Sequence, residues 1–320
     1  MGLIGLNGNY LMNMSKSSNL NILYMCGDRG LDLTISEGYR IHVIKILENL
    51  ANLGQNVFLL TVNDKKRLPG FNNYYCVPHK YAPLIHHIAP YTGTLDSLSI
   101  AMSIIRFNRV MKFDIIHERF GLYSWGGLLA SRLLGIPLVL EINGPSIEEK
   151  DLFSQPIQGW QRKTAVYFRK LCLNNADTII AVSNLLKEFL INNCGTPENR
   201  LIVMPNAADI PAFSANRPGT LLLREKYGLE NSFIIGFVGT LQVWYGLDTL
   251  INAMPHILKE VPNAKLLFVG DGQAREHLKN RVNEIGLADK VLFIGSKPHK
   301  EIPEILKTLA YTHQEAYIDD

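Results

Sequence analysis

The sequence lacks any close pair of cysteines. Its four, Cys26, Cys76, Cys172 and Cys194, are scattered and form no C-x-x-C. That excludes the usual zinc and disulfide frameworks and points to a reducing compartment. Long apolar runs are also missing, and none approaches the roughly 18 residues of a membrane span. Charge is sparse: 19% of residues are charged and the net charge is +3, too little for a disordered chain or one that coats nucleic acid. No G-x-G-x-x-G precedes an acid on a following strand, which removes a nicotinamide-dependent oxidoreductase. No carboxylate cluster has metal-ligand spacing, so neither metal nor cofactor is expected. The opening MGLIGLNGNYLMNMSKSSN has no charged n-region before its apolar residues and makes a poor signal peptide. Residues 1–20 read as a disordered leader, Met14 as an alternative start, and the protein as cytoplasmic.

What is present is a chain of 320 residues, 47% hydrophobic, long enough for two domains with their own cores. Short apolar runs alternate with helical periodicities, the pattern of α/β layers with parallel strands. The first set is NILYMC (21–26), NVFLLTV (56–62), DIIHER (114–119), PLVLEIN (137–143), TIIAVS (178–183) and RLIVMPN (200–206). The second is FIIGFVG (233–239), KLLFVGDG (265–272) and KVLFIGS (290–296). Each is apolar on both faces, as strands covered by helices on both sides must be. Between the sets, NAADIPAFSANRPG (206–219) has no period and reads as a linker. Two facing Rossmann-like domains follow, over 21–208 and 209–320, with ligands expected off the carboxyl ends of the strands.

Several strand ends carry chemistry. The loop CGDRGLDLTISEG leads into a helix near Gly38, where bare N–H groups suit an anion. His117, Glu118 and Arg119 end one strand; His117 could bond a sugar hydroxyl and Arg119 a phosphate. Glu141 ends a strand that should be buried, where a carboxylate must be paired or face a ligand; Asn143 and Gly144 turn after it. Ser183 reads as an N-cap. In GFVGTLQVWYGLDTLINAM (236–254) the chain breaks at Gly239 and restarts a helix at Gly246, with no basic residue between. Gly270, Asp271 and Gly272 make a tight turn one strand later, and Gly295, Ser296 and Lys297 repeat it. Three consecutive strands ending in glycine point to a nucleotide-diphosphate site.

In this order, EGYRIHV, HER, LVLEINGP, ADTIIAVS, VMPNAAD, GFVGTLQVWYGLDTLINAM, LLFVGDG and VLFIGSKPHKEIPEIL resemble the retaining, nucleotide-sugar-dependent glycosyltransferases of family four, from about Asn21 to about Thr308. The resemblance implies the GT-B fold and transfer of a sugar from a nucleotide-sugar to a hydroxyl acceptor, in polysaccharide, glycolipid or cell-envelope glycan synthesis. It implies donor contacts from Gly38, Gly239, Thr240, Gln242, Gly270, Asp271, Gly272, Ser296 and Lys297. Glu141, Asn143 and Arg119 become the acceptor-side catalytic candidates. A lipid-linked acceptor would bring peripheral contact with the inner face of a membrane, and IIRFNRVMKF (104–113) and GWQRKTAVYFRK (159–170) mix basic and apolar residues accordingly. Two departures stand out. Thr240 and Tyr245 occupy places where many relatives carry Arg and Lys. The Glu-x7-Glu motif of the family is absent, and AYTHQEAYIDD shows no strand–helix pattern, so the C-terminal domain reads as incomplete. The alternative reading is a truncated, catalytically inactive binding or partner protein.

Overall fold

The computed structural model describes residues 19–27, 38–62, 74–76, 89–152, 156–208, 210, 213, 220–309 and 311–313. The expected leader, apart from Asn19 and Leu20, lies outside them, as does most of the linker over 206–219. The chain divides into two compact units after Asn206.

The first unit alternates strand and helix. It runs β1 (Asn21–Cys26), α1 (Gly38–Asn52), β2 (Asn56–Thr61), β3 (Tyr74–Cys76), α2 (Ala89–Met111), β4 (Ile115–Arg119), α3 (Gly126–Leu134) and β5 (Leu138–Ile142). It continues through α4 (Ser146–Leu152), α5 (Gly159–Asn175), β6 (Thr178–Ala181), α6 (Asn184–Cys194) and β7 (Leu201–Val203). The strands form one parallel sheet in the order β3-β2-β1-β4-β5-β6-β7. Val, Ile and Leu dominate because both faces are covered. On one face Tyr24, Cys26, Val57 and Leu59 pack beneath Val43 and Leu47 of α1. On the other, Leu23, Met25, Ile116, Leu138 and Leu140 join residues of α2, α3, α5 and α6 in the larger core. Gly54 closes α1 at φ +80°, donating its N–H to Ala51, which a residue with a Cβ would do only under strain. Ser183 caps α6 as its position implies, accepting from the N–H of Leu186 at 3.1 Å.

The second unit carries α7 (Thr220–Tyr227), β8 (Phe233–Val238), α8 (Leu247–Glu260), β9 (Ala264–Val269), α9 (Arg275–Glu284), β10 (Val291–Phe293), α10 (Ile302–Thr308) and β11 (Tyr311–His313). Its parallel sheet runs β10-β9-β8-β11. In α8 the buried residues Leu247, Ile251 and Met254 recur at helical spacing and face Phe237, Leu266 and Phe268. Gly236 sits mid-strand because a Cβ there would stand 2.5 Å from Leu309 Cδ1.

Two strands escape the sequence reading. Tyr74–Cys76 is three residues long at the sheet edge. The stretch after Thr308, expected to hold no strand, pairs Tyr311, Thr312 and His313 with Ile235, Gly236 and Phe237 of β8. Runs this short are specified by the neighbouring strand rather than by a period of their own. Among the described residues no helix is long and apolar enough to cross a membrane.

Candidate functional site

In the first sheet, chain order reverses at β1, which has β2 on one side and β4 on the other. Open parallel sheets bind ligands outside the carboxyl ends at such a point. The register sets Tyr24 beside His117 and Arg119 beside Glu141. Side chains alternate along a strand, so Tyr24, His117, Arg119 and Glu141 share the face that α1 covers.

The first three meet at the carboxylate of the fourth. Glu141 Oε2 accepts from the Tyr24 hydroxyl at 2.8 Å and lies 3.1 Å from His117 Nε2. Oε1 accepts from Arg119 at 2.9 Å and from the Asn143 amide at 2.6 Å, and lies 2.8 Å from His42 Nε2. His42 comes from α1, four residues after Gly38 and therefore on the same helix face. Five partners on one carboxylate fill its lone-pair sites. Burial alone would raise the Glu141 carboxyl, but the hydrogen bonds and charge attraction of His117 and His42 outweigh it and hold it well below the ordinary carboxylate range. Burial, together with the neighbouring Cys26 and Glu141, pushes the Tyr24 hydroxyl up, so it stays a neutral donor. Removing one partner from such a buried group costs more than the bond itself, because the remaining polar atoms stay desolvated.

Glu118 points the other way. It is fully buried, accepts from the Ser124 hydroxyl through Oε1, and leaves Oε2 without a partner. A Cβ at Gly127, the second residue of α3, would stand 2.2 Å from that oxygen, so a side chain there would force Glu118 to move. Burial raises the carboxyl to about 7, partly opposed by the Ser124 bond.

In the second unit three turns lock together. Past β8, the N–H groups of Gly239 and Leu241 donate to Val269 and Asp271 at 3.0 and 2.9 Å. Gly270 in turn donates to Gly295 at 3.0 Å, linking the turn after β10. A Cβ at Gly270 would stand 1.8 Å from the Gly239 carbonyl oxygen, and one at Gly272 2.3 Å from that of Leu241. These two glycines therefore answer to backbone crowding between turns. The ladder leaves the intervening N–H of Thr240 turned away, without a partner among the described residues. Gln242 Oε1 is buried and unpartnered as well. Tyr245 turns inward, its ring 5.8 Å from that of Phe237.

The sequence-predicted residues thus fall into two groups. Glu141, Asn143 and Arg119 converge in the first unit, with Gly38 at the start of α1. Gly239, Thr240, Gln242, Gly270, Asp271, Gly272, Ser296 and Lys297 occupy the three joined turns. Asp271 is satisfied locally, by its neighbour's N–H at 2.9 Å and by Arg275 at 2.7 Å, and Lys297 Nζ lies 5.8 Å over the Tyr227 ring. Tyr24 and His42 are additions from the structure. Tyr24 hides in an apolar strand and His42 in an amphipathic helix; strand alternation beside His117 and the Gly38 spacing are the signals that could have exposed them. No group of three or more His, Cys, Asp or Glu among the described residues could hold a metal.

A family model described as Glycosyltransferase Family 4 matches residues 37–210, and one described as Glycosyl transferases group 1 matches 221–314. An uncharacterized glycosyltransferase of Methanocaldococcus jannaschii is 28% identical over 81% of this chain and 65% of its own length. The 2-deoxystreptamine glucosyltransferase of Streptomyces kanamyceticus is 24% identical over 84% of this chain and 73% of its own. Among solved structures, Anabaena HepE in complex with UDP-glucose superposes with a TM-score of 0.67 at 20% identity, over 92% of this chain and 73% of that one. The chain thus spans about two thirds of the archaeal relative and about three quarters of HepE.

Proposed function

Because the chain belongs to glycosyltransferase family 4, we propose that it transfers a sugar from a nucleotide-sugar to a hydroxyl acceptor with retention of configuration. The observation that carries the reading is the frame of turns after β8, β9 and β10. Its unpartnered Thr240 N–H and the start of α8 offer backbone donors to a diphosphate. The UDP-glucose bound to HepE supports a nucleotide-sugar as the ligand class. The acceptor oxygen bonds the anomeric carbon on the leaving-group face as the bond to the diphosphate breaks, and its proton passes to the departing diphosphate. No protein nucleophile and no metal enter this scheme; catalysis is positioning and stabilisation of the leaving group.

Calorimetric titration with UDP, GDP, ADP and UDP-glucose tests the donor half. Binding of at least one below about 1 mM is expected, and no heat from a folded sample at millimolar ligand rejects it. A second reading, a sugar-nucleotide-binding partner without transferase activity, draws on the uncharged turn, where Thr240 and the inward-facing Tyr245 supply no cation. It requires binding with neither transfer nor hydrolysis.

The proposed acceptor is lipid-linked, with use in polysaccharide, glycolipid or envelope glycan synthesis at the cytoplasmic face of a membrane. On α2, Leu95, Leu98, Met102, Arg106 and Arg109 recur at helical spacing and are exposed, Met102 at 70%. On α5 the expected basic face is partly spent, since Arg162 and Arg169 pair with Asp151 and Glu148. Vesicle co-sedimentation should rise with anionic lipid and fall for the R106E/R109E variant; binding indifferent to both removes the membrane from the scheme.

A further inference from the structure

We propose that Glu141 is a positioning residue: it fixes the ring protons of His42 and His117 on Nε2 and so presents both Nδ1 lone pairs to the hydroxyls of the acceptor. The ligand named here rests on the glycosyltransferase reading; the state of the rings does not.

The argument is one of donors and acceptors. An ionised carboxylate only accepts hydrogen bonds. Glu141 keeps its charge because the hydrogen bonds and the charge attraction of His117 and His42 outweigh its burial. Both ring nitrogens that face it, His42 Nε2 at 2.8 Å and His117 Nε2 at 3.1 Å, must therefore carry hydrogen. Arg119 already balances the carboxylate's charge at 2.9 Å, and one hydrogen on each Nε2 is enough for these two bonds. A neutral imidazole protonated on Nε2 has its remaining lone pair on Nδ1. Neither Nδ1 has a partner among the described residues. Nor are the rings sealed, since the His42 and His117 side chains keep 20% and 13% of their surface exposed.

The rings are also held from the side. Tyr24 packs against His117 with ring centroids 4.7 Å apart while its hydroxyl bonds the same carboxylate. His42 is carried by α1, whose Val43 and Leu47 are buried against the sheet. Rings with one tautomer, held by a shared carboxylate and packed neighbours, make a fixed reading head for hydroxyl donors. A hydroxyl waiting beside the anomeric carbon needs a hydrogen-bond acceptor until its proton passes to the departing diphosphate, and Nδ1 supplies one. Arg119 has no acceptor to lend and Asn143 spends its amide N–H on Oε1, leaving its carbonyl oxygen beside the two imidazole lone pairs.

The test uses the full chain labelled with 15N-histidine, read by long-range 1H–15N correlation at pH ~8, with H42Q and H117Q as assignments. Both rings should show a protonated Nε2 and an unprotonated Nδ1. In Glu141→Gln one oxygen becomes an NH2 group, and the ring facing it must move its proton to Nδ1. Glu141→Asp keeps the carboxylate and should keep both rings as in the wild type. Protons on Nδ1 in the wild type, or unchanged rings in E141Q, overturn the proposal. In a UDP-glucose hydrolysis assay, E141Q should lower kcat about 10- to 100-fold with KM for UDP-glucose within about twofold, and E141D should recover part of the rate. Parallel losses in kcat and 1/KM, or no loss, count against positioning. A wild-type chain with the stated tautomers and no transfer or hydrolysis of any sugar-nucleotide would reject the transferase reading instead, leaving the ring assignment standing.

Discussion

Glu118 and Glu141 end neighbouring strands, yet the fold treats them oppositely. Glu118 has burial and one hydroxyl, so its carboxyl rises from 4.5 to about 7. The folded state then holds a proton that the unfolded chain releases. Stability from this group is complete below pH 4.5, falls as pH rises through about 7, and changes by ~3 kcal/mol in all. Glu141, depressed by its partners, contributes above the ordinary carboxylate range and is lost as pH falls. Glu118→Gln should therefore gain on the wild type by ~3 kcal/mol between pH ~4.5 and ~8 in urea unfolding. A difference flat with pH would mean that Glu118 titrates like a surface carboxylate. A pair of glycines gives a second contrast. Gly270→Ala drives a Cβ to 1.8 Å from a carbonyl oxygen at φ +147° and should cost more than ~2 kcal/mol. Gly38→Ala meets nothing within 4 Å and should shift stability by less than ~0.5 kcal/mol. If Gly38 exists to let a diphosphate approach the start of α1, the second variant weakens UDP binding by calorimetry while remaining as stable as the wild type.

At the scale of elements, the long strands were legible because both faces are buried and the residues read as unbroken apolar runs. The caps were legible too: Ser183 and Gly54 do locally what their types suggest. Their ends were not, and the run over 200–206 yields only Leu201–Val203. After Val203 the run goes on in apolar Met204, but that side chain is exposed and the strand has already ended. Tyr74–Cys76 and Tyr311–His313 were hidden because a three-residue strand is defined by its partner. In the site, Glu141 could be found because a buried carboxylate at a strand end demands an explanation. Tyr24 and His42 were harder to see, since one reads as core and the other as helix surface until the register brings them to Glu141. The glycines of the second unit were read as room for a ligand; at Gly270 and Gly272 the carbonyls of Gly239 and Leu241 claim that room.

At the scale of the whole molecule, each unit has its own sheet and its own core. Of the three tryptophans, Trp244 alone lies in the second unit, two residues past Gln242 and 43% exposed. In a W125F/W160F variant its fluorescence should report unfolding of that unit and respond to nucleotide. UDP at a hundredfold excess over Kd should stabilise the transition seen by Trp244 by about 2.7 kcal/mol. A first-unit signal from Trp125 and Trp160 in a W244F variant should move less; equal shifts would show that the units melt as one.

The interlock of turns has a mechanical corollary. With Gly239, Leu241, Gly270 and Gly295 stitched by amides at 2.9–3.0 Å, the three turns travel as a single plate. If the proposed nucleotide seats on these turns, pressure from its base at one corner would tilt the corner that takes the phosphates as well. Analogues that differ only in their base should then alter how firmly the pyrophosphate is gripped, although they never touch it.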